Sequence, residues 1–147
     1  MRLSTRSRYG TRMMVDLARN YKKGPVQMRE ISKRQNLSVK YLEQLVIPLK
    51  RAKFITSVRG PKGGHMLSRS PEKITVGDIV RVLEGQLCLV KCLEHPGLCD
   101  MSSSCVSRDI WGMATEAVYE KLNSVTLLDM AETQEKQTNS GKKKKAH

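Results

Sequence analysis

From about Thr5 to Tyr21 the apolar residues Tyr9, Met13, Met14, Leu17, Ala18 and Tyr21 recur at helical spacing, which predicts a helix with one buried face. Gly24-Pro25 stops it, because glycine accepts a left-handed cap and proline cannot continue the turn. A short second helix, Met28 to Gln35, turns Met28 and Ile31 inward. After the turn at Asn36-Leu37, Ser38 is a suitable N-cap for a third helix. Leu42, Leu45, Val46 and Leu49 form its buried i, i+3, i+4, i+7 stripe, and Pro48 inside the pattern predicts a kink or a break. Phe54 to Val58 then reads as a strand and His65 to Leu67 as its return, around the glycine-rich basic turn Arg59–Gly64.

The second half has a different texture. Thr75-Val-Gly-Asp78 resembles a capping box and starts a helix through Glu84, ended by Gly85, with Ile79, Val82 and Leu83 inward. From Asp109 to Val125, Ile110, Met113, Ala114, Ala117, Val118, Leu122 and Val125 make a long stripe with small residues in it. That is more apolar face than a small domain covers, and it predicts a homodimer. Thr126–Asp129 offers one further turn, and the polar chain beyond Ala131 predicts disorder.

Three helices followed by a hairpin with a basic tip is the winged helix-turn-helix order. The expected fold is mainly α with a small β-hairpin wing. A winged helix-turn-helix DNA-binding domain fills 1–85, a cysteine-rich loop 86–108, a dimerisation helix 109–131, and a disordered basic tail 132–147. The third helix is the reading helix. Gln44 suits a bidentate contact with adenine, Lys40 a guanine or a phosphate, and Arg59 at the wing tip a narrow minor groove. Glu43, an anion on that surface, either accepts from cytosine or repels phosphate, and so discriminates between sites.

The charge sharpens this reading. Residues 1–70 carry 17 Lys/Arg against 3 Asp/Glu, whereas residues 71–131 carry 5 against 9. A merely solvated basic surface does not predict such asymmetry; a polyanion partner for the first half does, here double-stranded promoter DNA. No run of 18 apolar residues and no apolar stretch near MRLSTRSRYG exists, which predicts a cytoplasmic protein with no membrane partner. No nucleotide-binding, nucleophile-elbow or zinc-protease motif occurs, so the chain does not read as an enzyme.

All four cysteines fall within CLVKCLEHPGLCDMSSSC, at spacing Cys88-x3-Cys92-x6-Cys99-x5-Cys105. In a reducing compartment such a cluster points to metal ligation or redox sensing rather than structural disulfides. Paired zinc knuckles are absent, whereas iron–sulfur clusters take thiolates at looser spacing. Cys88 sits in Leu87–Val90, which has the look of a buried segment, and so reads equally as a packing residue.

MRLSTRSRYG, Tyr41-Leu-Glu-Gln-Leu45, Val58-Arg-Gly-Pro-Lys-Gly-Gly64, Ile79–Gly85 and the three-cysteine loop together resemble the Rrf-two family of bacterial winged-helix regulators, in particular its IscR branch of iron–sulfur regulators. The resemblance covers about residues 1–130. It implies a homodimer on palindromic promoter DNA, with the helix ending near Val125 crossing its mate. It also implies a cluster on Cys92, Cys99 and Cys105, [2Fe–2S] first and [4Fe–4S] as the alternative. In that branch Lys40 and Gln44 face bases, Arg59 enters the minor groove and Glu43 tunes site choice. Two positions depart from the pattern: Arg108 stands where the branch has a histidine ligand, and Arg8 where other relatives have an acidic one. Cys88, His95, Asp109 or a partner-subunit residue are the open choices for a fourth ligand. The expected function is a transcription regulator that senses iron–sulfur status through a labile cluster and controls cluster biogenesis or related genes. The alternatives are a thiol-based or cysteine-metabolism regulator of the same fold, an electron-transfer iron–sulfur protein, and a structural zinc module.

Overall fold

A computed structural model describes residues 2–145. Its described residues form seven α-helices and one two-stranded antiparallel sheet. In chain order they are α1 (Thr5–Arg19), α2 (Met28–Gln35), α3 (Val39–Arg51), β1 (Ile55–Val58), β2 (Gly64–Leu67), α4 (Val76–Glu84), α5 (Lys91–Glu94), α6 (Val106–Asn123) and α7 (Leu127–Lys145). The fold is the mainly helical winged helix-turn-helix that the apolar pattern implies.

The core belongs to the head. Met13, Met14 and Leu17 of α1, Ile31 of α2, and Leu42, Leu45 and Leu49 of α3 are sealed from solvent, together with Ile74 and Ile79. Each fully buried aliphatic side chain contributes about 1.5–3 kcal/mol relative to exposure, so this stripe-on-stripe packing is what holds the helices together. The turn between α2 and α3 is set by Asn36 in the left-handed region (φ 54°), a residue type that tolerates it. Ser38 caps α3, its side chain accepting from the Tyr41 N–H at 3.1 Å. A capping box joins Thr75 and Asp78 at the start of α4.

Three expectations are corrected. Pro48 does not break α3: the helix runs on to Arg51. Pro48 lies in the last turn, and the acceptor it leaves without a partner is the carbonyl of the exposed Gln44, on the solvent side. The span 109–131 is not one helix. It breaks at Ser124–Thr126, and α7 then brings Leu127 (0% exposed) and Ala131 back into the head's core, so the head is not confined to 1–85. Finally, residues 132–145 continue α7 instead of forming a disordered tail. Thr126 and Asp129 cap this helix reciprocally, at 2.9 and 3.1 Å, and hold the Asp129 carboxyl below its ordinary value. Glu, Gln and Lys form helix well without a buried face, so high polarity alone is no sign of disorder here. Met1 and the last two residues of the expected tail, 146–147, lie outside the described residues.

Candidate nucleic-acid interface and cysteine loop

The reading surface follows from the fold. The α3 stripe goes inward, which leaves Lys40, Glu43 and Gln44 exposed together on the opposite side. β1 and β2 pair Ile55 with Leu67 through Val58 with Gly64, and the connecting turn holds Arg59 exposed. The wing is braced from the segment just before α2: the Gln27 side chain donates to the Pro61 carbonyl at 3.2 Å, and Val26 bridges to His65. At Gly64 a Cβ would collide with the Val26 carbonyl, so glycine is required for that approach. His65 shares a 2.9 Å hydrogen bond with Ser57 across the hairpin. Burial lowers its pKa, Lys50 adds to the effect, and Glu43 opposes it. Glu43 thus sits in electrostatic reach of both the reading helix and the wing.

A polar network not anticipated from sequence locks α1 to α2. Asp16, only 3% exposed, accepts from Arg34 at 2.7 and 2.9 Å and from Gln35 at 3.1 Å. Arg12 in turn donates to the Gln35 side chain at 3.0 Å and to its carbonyl at 2.7 Å. Arg12 is therefore committed to holding the helix-turn-helix unit, while Arg6 and Arg8 remain exposed on α1.

Gly85, at φ +80°, ends α4 and turns the chain into the cysteine loop. Tyr119 of α6 clamps the loop's base: its hydroxyl accepts from the Leu87 N–H at 2.7 Å and donates to the Gly85 carbonyl at 3.3 Å, and the Arg81 guanidinium lies 4.8 Å over its ring. Glu84, one residue earlier, accepts from the Ser4 N–H at 2.7 Å, where α1 begins. Burial alone would raise the Glu84 carboxyl; the neighbouring Ser4, whose N–H donates to it, and the charge of Arg6 hold it below its ordinary value. The loop's base therefore touches the first turn of the helix that carries Arg6 and Arg8.

The cysteines are all free thiols. Cys92 lies on α5, Cys99 follows a 3-10 turn over Pro96–Leu98, and Cys105 is the N-cap of α6; Cys99 is exposed and the other two half-buried. Among the described residues no three His, Cys, Asp or Glu side chains are gathered closely enough to hold a metal ion. The donor chemistry nonetheless fits a thiolate-ligated group: three thiols lie on a loop tied by short turns, without a buried residue to hold them apart. Arg108 has a structural use, donating to the Cys92 carbonyl at 3.2 Å and tying α5 to the first turn of α6. Of the candidate fourth donors, His95 and Asp109 are exposed. Burial and the Glu94 carboxylate push the half-buried Cys88 thiol above its ordinary value.

Helix α6 has no buried residue over 18 positions, and Val106 (75%), Ile110 (52%), Trp111 (44%) and Met113 (64%) stand open. No described helix is long and apolar enough to cross a membrane.

A helix-turn-helix with a basic wing and a reading helix presenting Lys40, Glu43 and Gln44 defines the class: a winged-helix DNA-binding protein. The comparisons specify it. Residues 3–133 match the family model Rrf2, described as an iron-dependent transcriptional regulator, and the chain belongs to that family. It is 46% identical over 130 residues to protein rrf2 of Nitratidesulfovibrio vulgaris, covering 88% of this chain and 87% of the relative. Among solved structures it is similar to CymR, the global cysteine regulator of B. subtilis, with TM-score 0.77 and 41% identity, covering 90% of this chain and 98% of that one. T. potens IscR matches with TM-score 0.76 and 39% identity, covering 93% and 90%. These relatives include transcription regulators, and the chain is a DNA-binding transcription regulator of the same family.

Proposed function

We propose that this regulator senses iron–sulfur cluster status through Cys92, Cys99 and Cys105 and passes that state to its DNA-binding heads. The observation that carries the reading is the position of the three thiols between Gly85, where α4 ends, and Cys105, where α6 begins. A ligated iron–sulfur group, [2Fe–2S] or [4Fe–4S], would tie three points of this loop together through iron–thiolate bonds. The loop's base, fixed by Tyr119 at Gly85 and Leu87 and by Glu84 at Ser4, would then transmit the loop's order to α1 and α6. The open apolar residues of α6 support a homodimer in which α6 meets its mate. Two heads so paired would present two α3 helices to a palindromic site. Lys40 and Gln44 would read bases, Glu43 would limit which sites are accepted, and Arg59 would enter the minor groove.

The experiment compares promoter binding by the anaerobically loaded protein, the iron-free protein, and Cys92→Ala. The expected outcome is that site choice or affinity changes at least tenfold between loaded and iron-free forms, and that Cys92→Ala behaves as iron-free under both conditions. Equal binding in all three would overturn the sensing role. Arg59→Ala should weaken binding of every site, and Glu43→Ala should widen the iron-free protein's range of sites.

A second reading, a thiol-based regulator of the same fold without a cluster, is favoured by one observation: the described thiols are not gathered. In that case binding would respond to oxidant and reductant but not to iron.

A further inference from the structure

We infer that the lysine end of α7, Lys142–Lys145, is a second DNA-binding element that grips the phosphate backbone flanking the site under the wing. The inference rests on the DNA-binding role of the head and extends its footprint.

The direction of α7 comes from what it lies against. From Asp129 to Gln137 it lines a groove with Thr11, Arg12 and Val15 of α1 and with Arg34 and Gln35 of α2. Glu135 lines a second groove with Asp16, Arg19 and Lys23, nearer the C-terminal end of α1. The helix therefore runs in the direction of α1, and its last turns extend past that end. At 1.5 Å per residue, Lys145 stands about 15 Å beyond Glu135. The end of α1 that it overruns is the wing side of the head. The chain passes there through Lys22 and Lys23 to Val26, which bridges to β2, and to Gln27, which holds the wing at Pro61. The first turns of α7 are anchored by Leu127 and Ala131 in the core, so this extension is attached to the head and is not a loose tail.

The chemistry of the extension selects the partner. From Glu132 to Lys145 there is no apolar side chain, and residues 136–145 carry five lysines and no acid. A segment without an apolar face cannot insert into a lipid interface or fill an apolar protein groove. It can neutralise an extended polyanion through charge. The plain alternative is that the lysines only complement the carbonyl end of the helix dipole. Four consecutive lysines, all exposed, concentrate mutually repelling positive charge in one turn, more than the half charge of the dipole needs. Phosphates on a neighbouring duplex would relieve that repulsion.

The test is fluorescence anisotropy of the full chain on a mixed-sequence 40-base-pair duplex over a salt series, with K142Q/K143Q/K144Q/K145Q and the matching four-arginine variant. Each lost phosphate contact should shrink the slope of log affinity against log salt by about 0.9. The glutamine variant should lose about two or more such contacts per chain and bind at least tenfold more weakly at low salt. The arginine variant should keep the wild-type slope, which separates charge from any change in helix content. A glutamine variant with wild-type slope and affinity overturns the inference. Arg59→Ala run alongside keeps the two claims apart: weakened binding there with an unaffected glutamine variant sinks only the tail. If the glutamine variant loses binding while Arg59→Ala is unaffected, the tail's role stands and the wing's falls.

Discussion

Replacing Tyr119 with Phe isolates the hydroxyl that fixes the cysteine loop to α6. The ring stays, and with it the stacking of Arg81 at 4.8 Å; two hydrogen bonds go. The bond to the exposed Gly85 carbonyl is long, at 3.3 Å, and water can replace it at little cost. The bond from the half-buried Leu87 N–H is 2.7 Å, and leaving that donor unpaired costs about 1–1.5 kcal/mol, a factor of roughly ten in the local opening equilibrium. Amide exchange should therefore speed up about tenfold at Leu87 and Leu89 and stay near wild type in α1 and α3. The global melting temperature should fall by no more than about 4 °C. Less than twofold acceleration at Leu87 would mean that the hydroxyl does not hold the loop. Uniform acceleration across the head would mean that Tyr119 acts as core packing and not as a clamp.

Three other outcomes follow from the same structure. Asp16→Ala leaves the Arg34 and Gln35 donors without their acceptor and should destabilise the head by about 2–3 kcal/mol, read by urea unfolding; a loss under 0.5 kcal/mol would remove the network from the account. Ile110→Glu together with Trp111→Glu should convert a dimer to a monomer in sedimentation at micromolar concentration, with helix content retained; an unchanged dimer would assign the contact elsewhere. The Glu84 carboxyl is depressed in the folded chain, so its contribution is present above its ordinary value of 4.5 and lost as pH falls through the lower folded value. Glu84→Gln should flatten this part of the melting curve below about pH 4.5, and a wild-type pH profile in the variant would refute the assignment.

The head was legible because each of its helices carries a buried stripe at 3.6-residue spacing and each turn its own signal: Gly24-Pro25, Asn36, Gly85. The wing was legible from two short apolar runs around Arg59–Gly64. What sequence left hidden are contacts between residues far apart in the chain. Asp16 reads as one acid in a basic helix, and only the packing of α2 brings Arg34 and Gln35 onto it. Tyr119 lies beside the α6 stripe with no signal of its own in the sequence, yet its hydroxyl serves a loop 32 residues away. Thr126–Asp129 marks the start of α7 in the sequence but not its length, because a polar segment without a buried face reads like a disordered one. The cost of Pro48 depends on which carbonyl it strands, and the sequence does not show that this is the carbonyl of an exposed residue, Gln44. The thiols were readable as donors but their arrangement was not, since spacing along a turn-rich loop does not fix distances across it.

The iron–sulfur group proposed for the cysteine loop is tested by anaerobic purification followed by an absorption spectrum with iron and sulfide analysis. About two irons and two sulfides per chain, lost together in Cys92→Ala, is the result expected for a [2Fe–2S] sensor. A colourless, iron-free protein that takes up neither iron nor sulfide on reconstitution would contradict it.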